Sequence, residues 1–332
     1  MAKIVALPLI FYFIVISTSS NVIAQNKNFE FYGYAQLDYE ASTKHNSFSG
    51  FNQRRINLIS EFNYYHRLRV IGDVEYEGGS DLTVGDSASY GVIKLSRAII
   101  EYSVSPALKF NAGKMITHFG LYNLIHDAAA SYYSVDPPIM YSKFKLFDEL
   151  PAQRLFGKYL IGVSVLGTFD LGNSGSQIEY FLGIGNGRGV DNFGNDLNND
   201  KAINVRLIYR PSFIQGVQIG SSYYTDVNYN GISGMRNSKE NSYALDFQFN
   251  NNYIEIQSES VFSEFELSPG IFQKSWISYA QIAYNLWDVF TPFINYTHAN
   301  LDLDSDDDSF SRFNFGLNYA VLPNLFVKSE IQ

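Results

Sequence analysis

Apolar and polar residues alternate along most of this chain. The segment FEFYGYAQLDYE at 29–40 places Leu37 on an apolar face and Gln36 on a polar face. Alternation with a period of two predicts a β-strand with one apolar face. The pattern recurs in segments separated by polar or glycine-rich residues, which predicts fifteen strands: 29–40, 55–63, 67–77, 93–103, 108–115, 159–169, 177–185, 201–210, 217–226, 242–249, 253–262, 275–284, 289–297, 312–319 and 325–332.

The predicted connections alternate between short turns and long polar loops. Every second connection is long: 41–50, 78–92, 116–158, 186–200, 227–241, 263–274 and 298–311. Such a bias is typical of a transmembrane antiparallel β-barrel, in which short turns lie at one end and long loops at the other. Strands of about nine to eleven residues also match a tilted crossing of the hydrocarbon layer. The fold class predicted is therefore all-β, a closed transmembrane barrel.

An even strand number is expected for a bacterial single-chain barrel. Fifteen predicted strands make sixteen the nearest fit, and the C-terminal LFVKSEIQ lacks a terminal aromatic residue. We therefore expect sixteen strands, of which this chain contains fifteen, with the last strand missing.

The segment from Asn111 to Lys158 interrupts the regular alternation of strands and turns. Its apolar and aromatic residues make it too hydrophobic for a solvated linker. A loop of this length in a compact fold is usually functional. We predict that it folds into the barrel lumen and packs its apolar side chains on the inner wall. Lys143, Lys145 and Arg154 would then face the passage.

The N-terminus predicts export, and the composition restricts the classes of partner. Lys3, the apolar run at 4–16 and the small residues before Gln25 predict a signal peptide at 1–24, followed by the barrel at 25–332. That run is too short to span a bilayer as a helix. The chain has no Cys, which excludes disulfide and thiolate sites. A net charge of -9 argues against nucleic acid as a partner.

The motifs that could carry chemistry are incomplete. GIGNGRG at 183–189 has Arg188 where a dinucleotide motif needs glycine. The alternating aspartates at 302–308 resemble a calcium loop but have Asp307 and Phe313 at its glycine and glutamate positions. We interpret them as a solvated loop, with weak divalent binding as the alternative. Ser164 lies outside a GxSxG motif. We predict no catalytic, cofactor or metal site, and no enzyme.

Several stretches resemble the phosphate-selective porin O/P family, including its relatives in Bacteroidetes-like bacteria. FNQRRINL at 51–58 is similar to the paired-arginine second strand of that family, and AGKMITHFGLYN at 112–123 resembles the entry to its constriction loop. ELPAQRLFG, YFLGIGNGRG, NNDKAINVRLIYRP and LPNLFVKSEIQ fit in the same order. The resemblance covers nearly the whole mature chain, and it implies a sixteen-stranded barrel, usually trimeric, with an outer loop folded into the pore.

Two departures limit what the resemblance implies. His118 stands where the family tends to have proline, and NYT at 295–297 replaces a common R-Y-E. The polar faces of the strands mix basic with acidic residues and form no continuous basic ladder, so phosphate selectivity is not implied. The basic pore candidates on the strands are Arg55, Arg69, Arg97, Arg206 and Lys328.

The function predicted is passive diffusion of small hydrophilic solutes or ions through a porin of the Gram-negative outer membrane. Charged rings in the lumen set selectivity in such pores. The expected partners are membrane lipid, lipopolysaccharide and further copies in a homotrimer, without a cofactor. The alternative, from another class, is a structural or adhesive barrel whose lumen is closed by the inserted segment.

Overall fold

The computed structural model describes most of the chain and shows an all-β protein. The residues that it describes are 9–11, 28–40, 50–77, 92–125, 132–144, 154–187, 199–228, 238–268, 270–303, 306–322 and 325–331. Within these ranges, helical structure is limited to three short 3-10 turns at Asn123–Ile125, Ile139–Tyr141 and Gly172–Ser174. None of the helices in the described part has the length and hydrophobicity that a membrane crossing requires.

In the described ranges, sixteen antiparallel strands form one sheet that closes into a barrel. The strands are β1 (Leu9–Phe11), β2 (Phe29–Glu40), β3 (Gly50–Tyr64), β4 (Leu68–Glu77), β5 (Val92–Ser105), β6 (Leu108–Ile116), β7 (Tyr159–Leu171), β8 (Ser176–Asn186), β9 (Lys201–Arg210), β10 (Val217–Asn228), β11 (Ser238–Asn250), β12 (Ile254–Ser268), β13 (Ile271–Tyr284), β14 (Phe290–Leu303), β15 (Asp306–Leu322) and β16 (Leu325–Ile331). Each strand pairs with its neighbours in sequence, so the order around the wall follows the chain.

The fifteen strands predicted from the sequence are β2–β16, and the additional strand β1 closes the barrel. β1 pairs with β16 through Leu9 and Ser329 and with β2 through Phe11 and Leu37. The three residues of β1, Leu9–Phe11, fall within the predicted signal peptide. The leader, the domain bounds and the missing last strand stay predictions.

Alternating side chains divide between the lumen and the outer surface, as the period of two predicts. Gln36 is 2% exposed and bonds to the buried Asp38, while the outward Phe31 on the same strand is 56% exposed. The same division holds in β11, where Leu245 lies outside and Asp246 inside. The barrel therefore has an apolar outer surface and a polar inner wall, as a barrel in lipid requires.

An arginine on the outer surface is expected to destabilise the barrel in a depth-dependent way. Leu245→Arg, in the middle of β11, should lower the free energy of unfolding by about 2–4 kcal/mol, because a cation would lie near the bilayer midplane. Tyr253→Arg, at a turn and exposed to a similar extent (64% against 63%), should cost at most about 1 kcal/mol. Unfolding of the two variants in lipid vesicles measures both free-energy changes. Equal losses of stability would contradict the placement of Leu245 near the bilayer midplane and of Tyr253 at its edge.

Two connections that the sequence predicts as long loops are tight hairpins. β12 continues to Ser268 and β13 begins at Ile271, so the predicted loop at 263–274 is mostly paired strand. Gly270 in this turn has a φ of 84°, which suits a residue without a side chain. β14 and β15 likewise pair as far as Leu303 and Asp306, in place of the predicted loop at 298–311. Polar residues here extend the sheet because antiparallel pairing does not require an apolar face once the strands leave the membrane.

Two turns at the opposite end hold bulky residues in the left-handed conformation. Tyr65 and His66 have φ values of 48° and 56°, and Trp287 and Asp288 have values of 56° and 57°. Positive φ at both central residues is the geometry of a type I′ turn, whose twist matches that of paired strands. These turns therefore fix the registers of β3 with β4 and of β13 with β14.

Candidate functional site: a lumen narrowed by an inward loop

The inward loop, residues 117–158, leaves the wall after β6 and returns to it at β7. Its two ends lie side by side, because Ile116 pairs with Tyr159. The amide of Thr117 donates to the Lys158 carbonyl over 3.0 Å, and the Thr117 hydroxyl donates to the Gly157 carbonyl over 2.6 Å. These bonds close the base of the loop, so its position is set from the adjoining strands.

An aromatic cluster inside the lumen forms the core of the inward loop. The rings of Phe119 and Phe156 stack with centroids 4.1 Å apart, and Tyr141 meets Phe156 edge to face at 5.7 Å. Met140 and Leu155 complete the cluster, and both are fully buried. The prediction that this segment folds into the lumen is therefore confirmed for its described residues, and the fold is driven by the burial of their apolar side chains.

Hydrogen bonds hold the first and last parts of the inward loop against β9–β12. Asn204 accepts from the amide of His118 at 2.8 Å and donates to its carbonyl at 3.1 Å. The hydroxyls of Ser242 and Ser263 both donate to the Leu155 carbonyl, over 2.5 and 2.8 Å. Small polar residues on the wall thus satisfy loop backbone groups that the lumen would otherwise leave unpaired.

Glu259 on β12 binds the inward loop through two of its residues. The Tyr141 hydroxyl donates to this carboxylate over 2.7 Å, and the amide of Leu121 donates over 3.4 Å. Gly120 lies beside it with a φ of 65°, and a Cβ there would stand 1.9 Å from a Glu259 oxygen. The backbone conformation therefore favours glycine here, and any side chain would have to displace the Glu259 carboxylate or the Tyr141 hydroxyl.

The middle of the inward loop reaches the far side of the barrel. The Tyr133 hydroxyl donates to Glu255 on β12 over 2.9 Å, and the amide of Val135 donates to Glu330 on β16 over 2.8 Å. Arg54 on β3 bonds to Asp136, and the Lys328 amine on β16 donates to the carbonyl of Tyr132. The inward loop therefore crosses the lumen and contacts the wall from β8 round to β3.

Burial favours the neutral forms of His118, Tyr122 and Tyr141 in the inward loop. The His118 ring stacks on Phe181 at 3.8 Å, and its burial, together with the nearby Arg206, lowers its pKa to about 3. Burial also raises the pKa values of Tyr122 and Tyr141, with neighbouring ionisable groups adding to the effect. His118 is therefore uncharged above about pH 3, and it adds no positive charge to the passage.

Ion pairs cover the inner wall on the β3–β5 side. Arg97 bonds to Asp73 over 2.8 Å and Arg69 bonds to Glu61 over 2.6 Å. Arg55 lies 3.7 Å from Glu75. Each basic pore candidate on these strands therefore faces the lumen together with a carboxylate, and the pairing reduces the net field that a passing ion would feel.

The other basic pore candidates have different surroundings. Arg206 and Asp246 form a buried bidentate pair with bonds of 2.7 and 3.0 Å. Lys328 is buried beneath the inward loop, whereas Lys143 is exposed and Arg154 is partly buried. Lys145 lies outside the described residues. The structure therefore gathers Arg55, Arg69 and Arg97 on one wall, and places Arg206 and Lys328 under the loop.

A row of amide side chains, which the sequence analysis did not identify, crosses the wall opposite β3–β5. One glutamine or asparagine on each of six consecutive strands lies directly opposite the next: Gln218, Gln248, Gln257, Gln281, Asn295 and Asn314, on β10 to β15. We call this set the amide row. Each residue occupies a polar position of the alternating pattern, but their alignment depends on strand register, which the sequence does not give.

No cluster of three or more potential metal ligands occurs among the described residues. The acidic side chains around 302–308 lie outside that part, although the backbone there forms the ends of β14 and β15. Ser164 is buried on β7 and lies opposite Gly183 of the glycine-rich motif. That motif continues β8 as far as Asn186, with no helix after it in the described part of the chain.

Solved structures show where this fold occurs. The anion-selective porin from Comamonas acidovorans has a TM-score of 0.61 and 9% identity, and the match covers 89% of this chain and 85% of that one. OmpF of Salmonella typhi, in complex with daunomycin, has a TM-score of 0.61 and 14% identity, with 92% and 90% covered. A loop L8 deletion mutant of OmpT, an outer membrane protein of Vibrio cholerae, has a TM-score of 0.55 and 12% identity, with 91% and 97% covered.

These likenesses establish the fold, a porin-like outer-membrane β-barrel. No protein-family model matches the chain, and no curated protein matches it either. The resemblance to the phosphate-selective O/P family therefore stays a prediction.

Proposed function

We propose that this protein is an outer-membrane porin through which small hydrophilic solutes and ions diffuse passively. The observation that carries the proposal is the inward loop, which narrows a polar lumen and is anchored to the wall by hydrogen bonds on both sides. The wall groups that hold the loop are serines, amides and the charged side chains of Glu255, Glu259, Glu330, Arg54 and Lys328, and their bonds to the loop fix the constriction. The protein acts without chemistry or a cofactor.

The proposed setting is the Gram-negative outer membrane. The apolar outer surface suits contact with lipid and with lipopolysaccharide. Assembly as a homotrimer and membership of the phosphate-selective O/P family belong to the same proposal, and both come from the sequence resemblance.

Single-channel recording tests the proposal directly. The purified, heat-modifiable barrel is expected to give discrete conductance steps in a planar bilayer. The alternative function is a structural or adhesive barrel whose lumen is closed, and the contacts of the inward loop from β8 to β3 favour it. A folded barrel that inserts into the bilayer without conducting would support that alternative.

The exposed end of the inward loop is expected to affect ion selectivity. In the variant carrying both Lys143→Glu and Lys145→Glu, the reversal potential under a salt gradient should shift toward cations, because charges in a narrow, low-dielectric passage act strongly on ions. The paired arginines on β3–β5 should contribute less, since each lies beside a carboxylate.

A matched double variant provides the control for this measurement. Lys201→Glu with Lys239→Glu makes the same charge change at exposed residues on β9 and β11, next to the buried Ala202 and Ser238. It should leave the reversal potential nearly unchanged. Equal shifts in the two double variants would contradict a position of Lys143 and Lys145 beside the passage.

A further inference from the structure

A cavity of about 840 Å³ lies inside the barrel at the end with the short turns. Its lower rim is formed by the β11–β12 turn at 250–253 and the β13–β14 turn at 285–289. Tyr132 and Tyr133 of the inward loop line its upper side, and Lys328 on β16 lines its flank. The volume falls within the range of about 300–1,000 Å³ that is usual for small-molecule sites.

Amide groups dominate the polar lining of this cavity. Asparagine side chains line it at positions 250, 251, 252, 285 and 318, and Thr291 lies directly opposite Asn318 in the strand register. An amide donates and accepts hydrogen bonds at the same time, and a hydroxyl group does likewise. The lining therefore matches a solute that presents many hydroxyl groups.

The charges around the cavity argue against an anionic solute. Glu255 and Asp288 are its carboxylates, and Lys328 is the lysine of its lining. The Lys328 amine donates to the carbonyls of Tyr132 and Ser134, so its donors are directed into the inward loop. A phosphate or carboxylate in the cavity would therefore face two carboxylates, and the lining favours an uncharged solute.

Asn318 has an unused acceptor in the cavity wall. Its side chain is 8% exposed, and its amide oxygen receives no hydrogen bond from the residues that the structure describes. The amide oxygens of Asn295 and Asn314, which belong to the amide row, likewise receive no hydrogen bond from the residues that the structure describes. A buried acceptor without a donor is costly, about 1–3 kcal/mol, so turning the Asn318 oxygen toward a solute hydroxyl in the cavity would be favourable.

Aromatic rings supply the apolar part of the lining. Tyr133 and Phe326 are both partly buried, and both border the cavity. The Tyr133 hydroxyl is bonded to Glu255, which fixes the orientation of the ring. An aromatic face offers a flat apolar surface with a negative quadrupole, and it can contact the C–H groups on one side of a pyranose ring.

We propose that this cavity binds uncharged polyhydroxylated solutes, namely monosaccharides and short oligosaccharides, beside the diffusion path. The amides and Thr291 bond to the hydroxyls, while Tyr133 and Phe326 contact the apolar sugar face. The inference rests on the proposed porin function, of which it names a solute class. The binding itself does not require conduction, so the two can fail separately.

Maltotriose is the probe, added to the full-length barrel in detergent and measured by isothermal titration calorimetry. The wild type is expected to bind it saturably, and Asn318→Leu should raise the dissociation constant roughly 3- to 10-fold through the loss of one hydrogen bond. Thr291→Val, which is isosteric, should act in the same direction. Inorganic phosphate at the same concentrations should not compete.

Asn111→Leu is the matched control, because Asn111 is also 8% exposed but lies on β6, away from the cavity. Its affinity for maltotriose should equal that of the wild type. The proposal is overturned if the wild type binds no maltotriose, if phosphate displaces it, or if Asn111→Leu weakens binding as much as Thr291→Val and Asn318→Leu. Binding by a barrel that does not conduct would support the site and refute the porin function.

Planar bilayers give the second readout. Maltotriose added on the side of the short turns should reduce the current of the wild type in a saturable way, with a half-blocking concentration that rises in Asn318→Leu and Thr291→Val. A conducting channel whose current is unaffected by maltotriose would contradict a site beside the diffusion path.

Discussion

Asp246→Ala is expected to lower the free energy of unfolding by about 3–5 kcal/mol, because it leaves the guanidinium of Arg206 buried without its anion. The side chains of the two partners are 3% and 0% exposed, and their two hydrogen bonds measure 2.7 and 3.0 Å. The hydroxyl of Ser222 would remain the acceptor of a single bond from the cation. Unfolding by urea in detergent micelles measures the loss.

A second ion pair of the same chemistry is the control for Asp246→Ala. Arg210 and Glu179 are 2.8 Å apart, but their side chains are 36% and 30% exposed. Glu179→Ala should therefore cost at most about 1 kcal/mol. The double variant Arg206→Met with Asp246→Leu should regain most of the stability, since it removes both charges. A loss in Asp246→Ala no greater than in Glu179→Ala would contradict the buried state of the pair.

Phe156→Ala is expected to detach the inward loop and widen the lumen. Phe156 is fully buried between Phe119 and Tyr141, and truncation of such a ring costs about 3–5 kcal/mol of packing. The barrel wall does not depend on this contact, so the loss falls on the loop. Protease cleavage within 117–158 should become faster, and the single-channel conductance should rise.

Phe31→Ala is the control for the loop variant, because Phe31 is 56% exposed on the outer surface. It should leave both the cleavage of the inward loop and the conductance unchanged. Protection of the loop in Phe156→Ala equal to that in the wild type would show that the hydrogen bonds to Glu259, Ser242 and Ser263 hold the loop without its aromatic core.

The period-two pattern was sufficient to find strands β2–β16 and to assign their faces. Gln36 lies inside and Phe31 outside because every second side chain of a strand points to the same face, and only one face meets lipid. The inward loop was predicted for an equally local reason, since its aromatic density was too high for solvent. Both predictions depend on residues close in sequence.

The pattern was less informative where it depended on polarity alone. The residues at 263–274 and 298–311 are so polar that the pattern predicts loops. In the structure they pair, β12 with β13 and β14 with β15. Strand pairing outside the membrane is stabilised by backbone hydrogen bonds and cross-strand contacts, which polar residues supply as well as apolar ones.

The arrangement of the candidate site depends on register, which no single segment contains. Asp73 lies directly opposite Arg97 although 24 residues separate them in sequence. The basic candidates could be listed from the sequence, but their pairing with carboxylates could not, because a shift of one residue would move a side chain to the other face. The amide row was missed for the same reason.

The amide row bears on the electrical noise of the channel. Carboxylates and amines bind and release protons, and each event changes the local potential and therefore the current of a conducting pore. Amides do not titrate in water, so the wall from β10 to β15 contributes a constant potential along this row. The amide row itself should then add no fluctuations from proton exchange, which would arise from the carboxylates of the wall, such as Glu255 and Glu259.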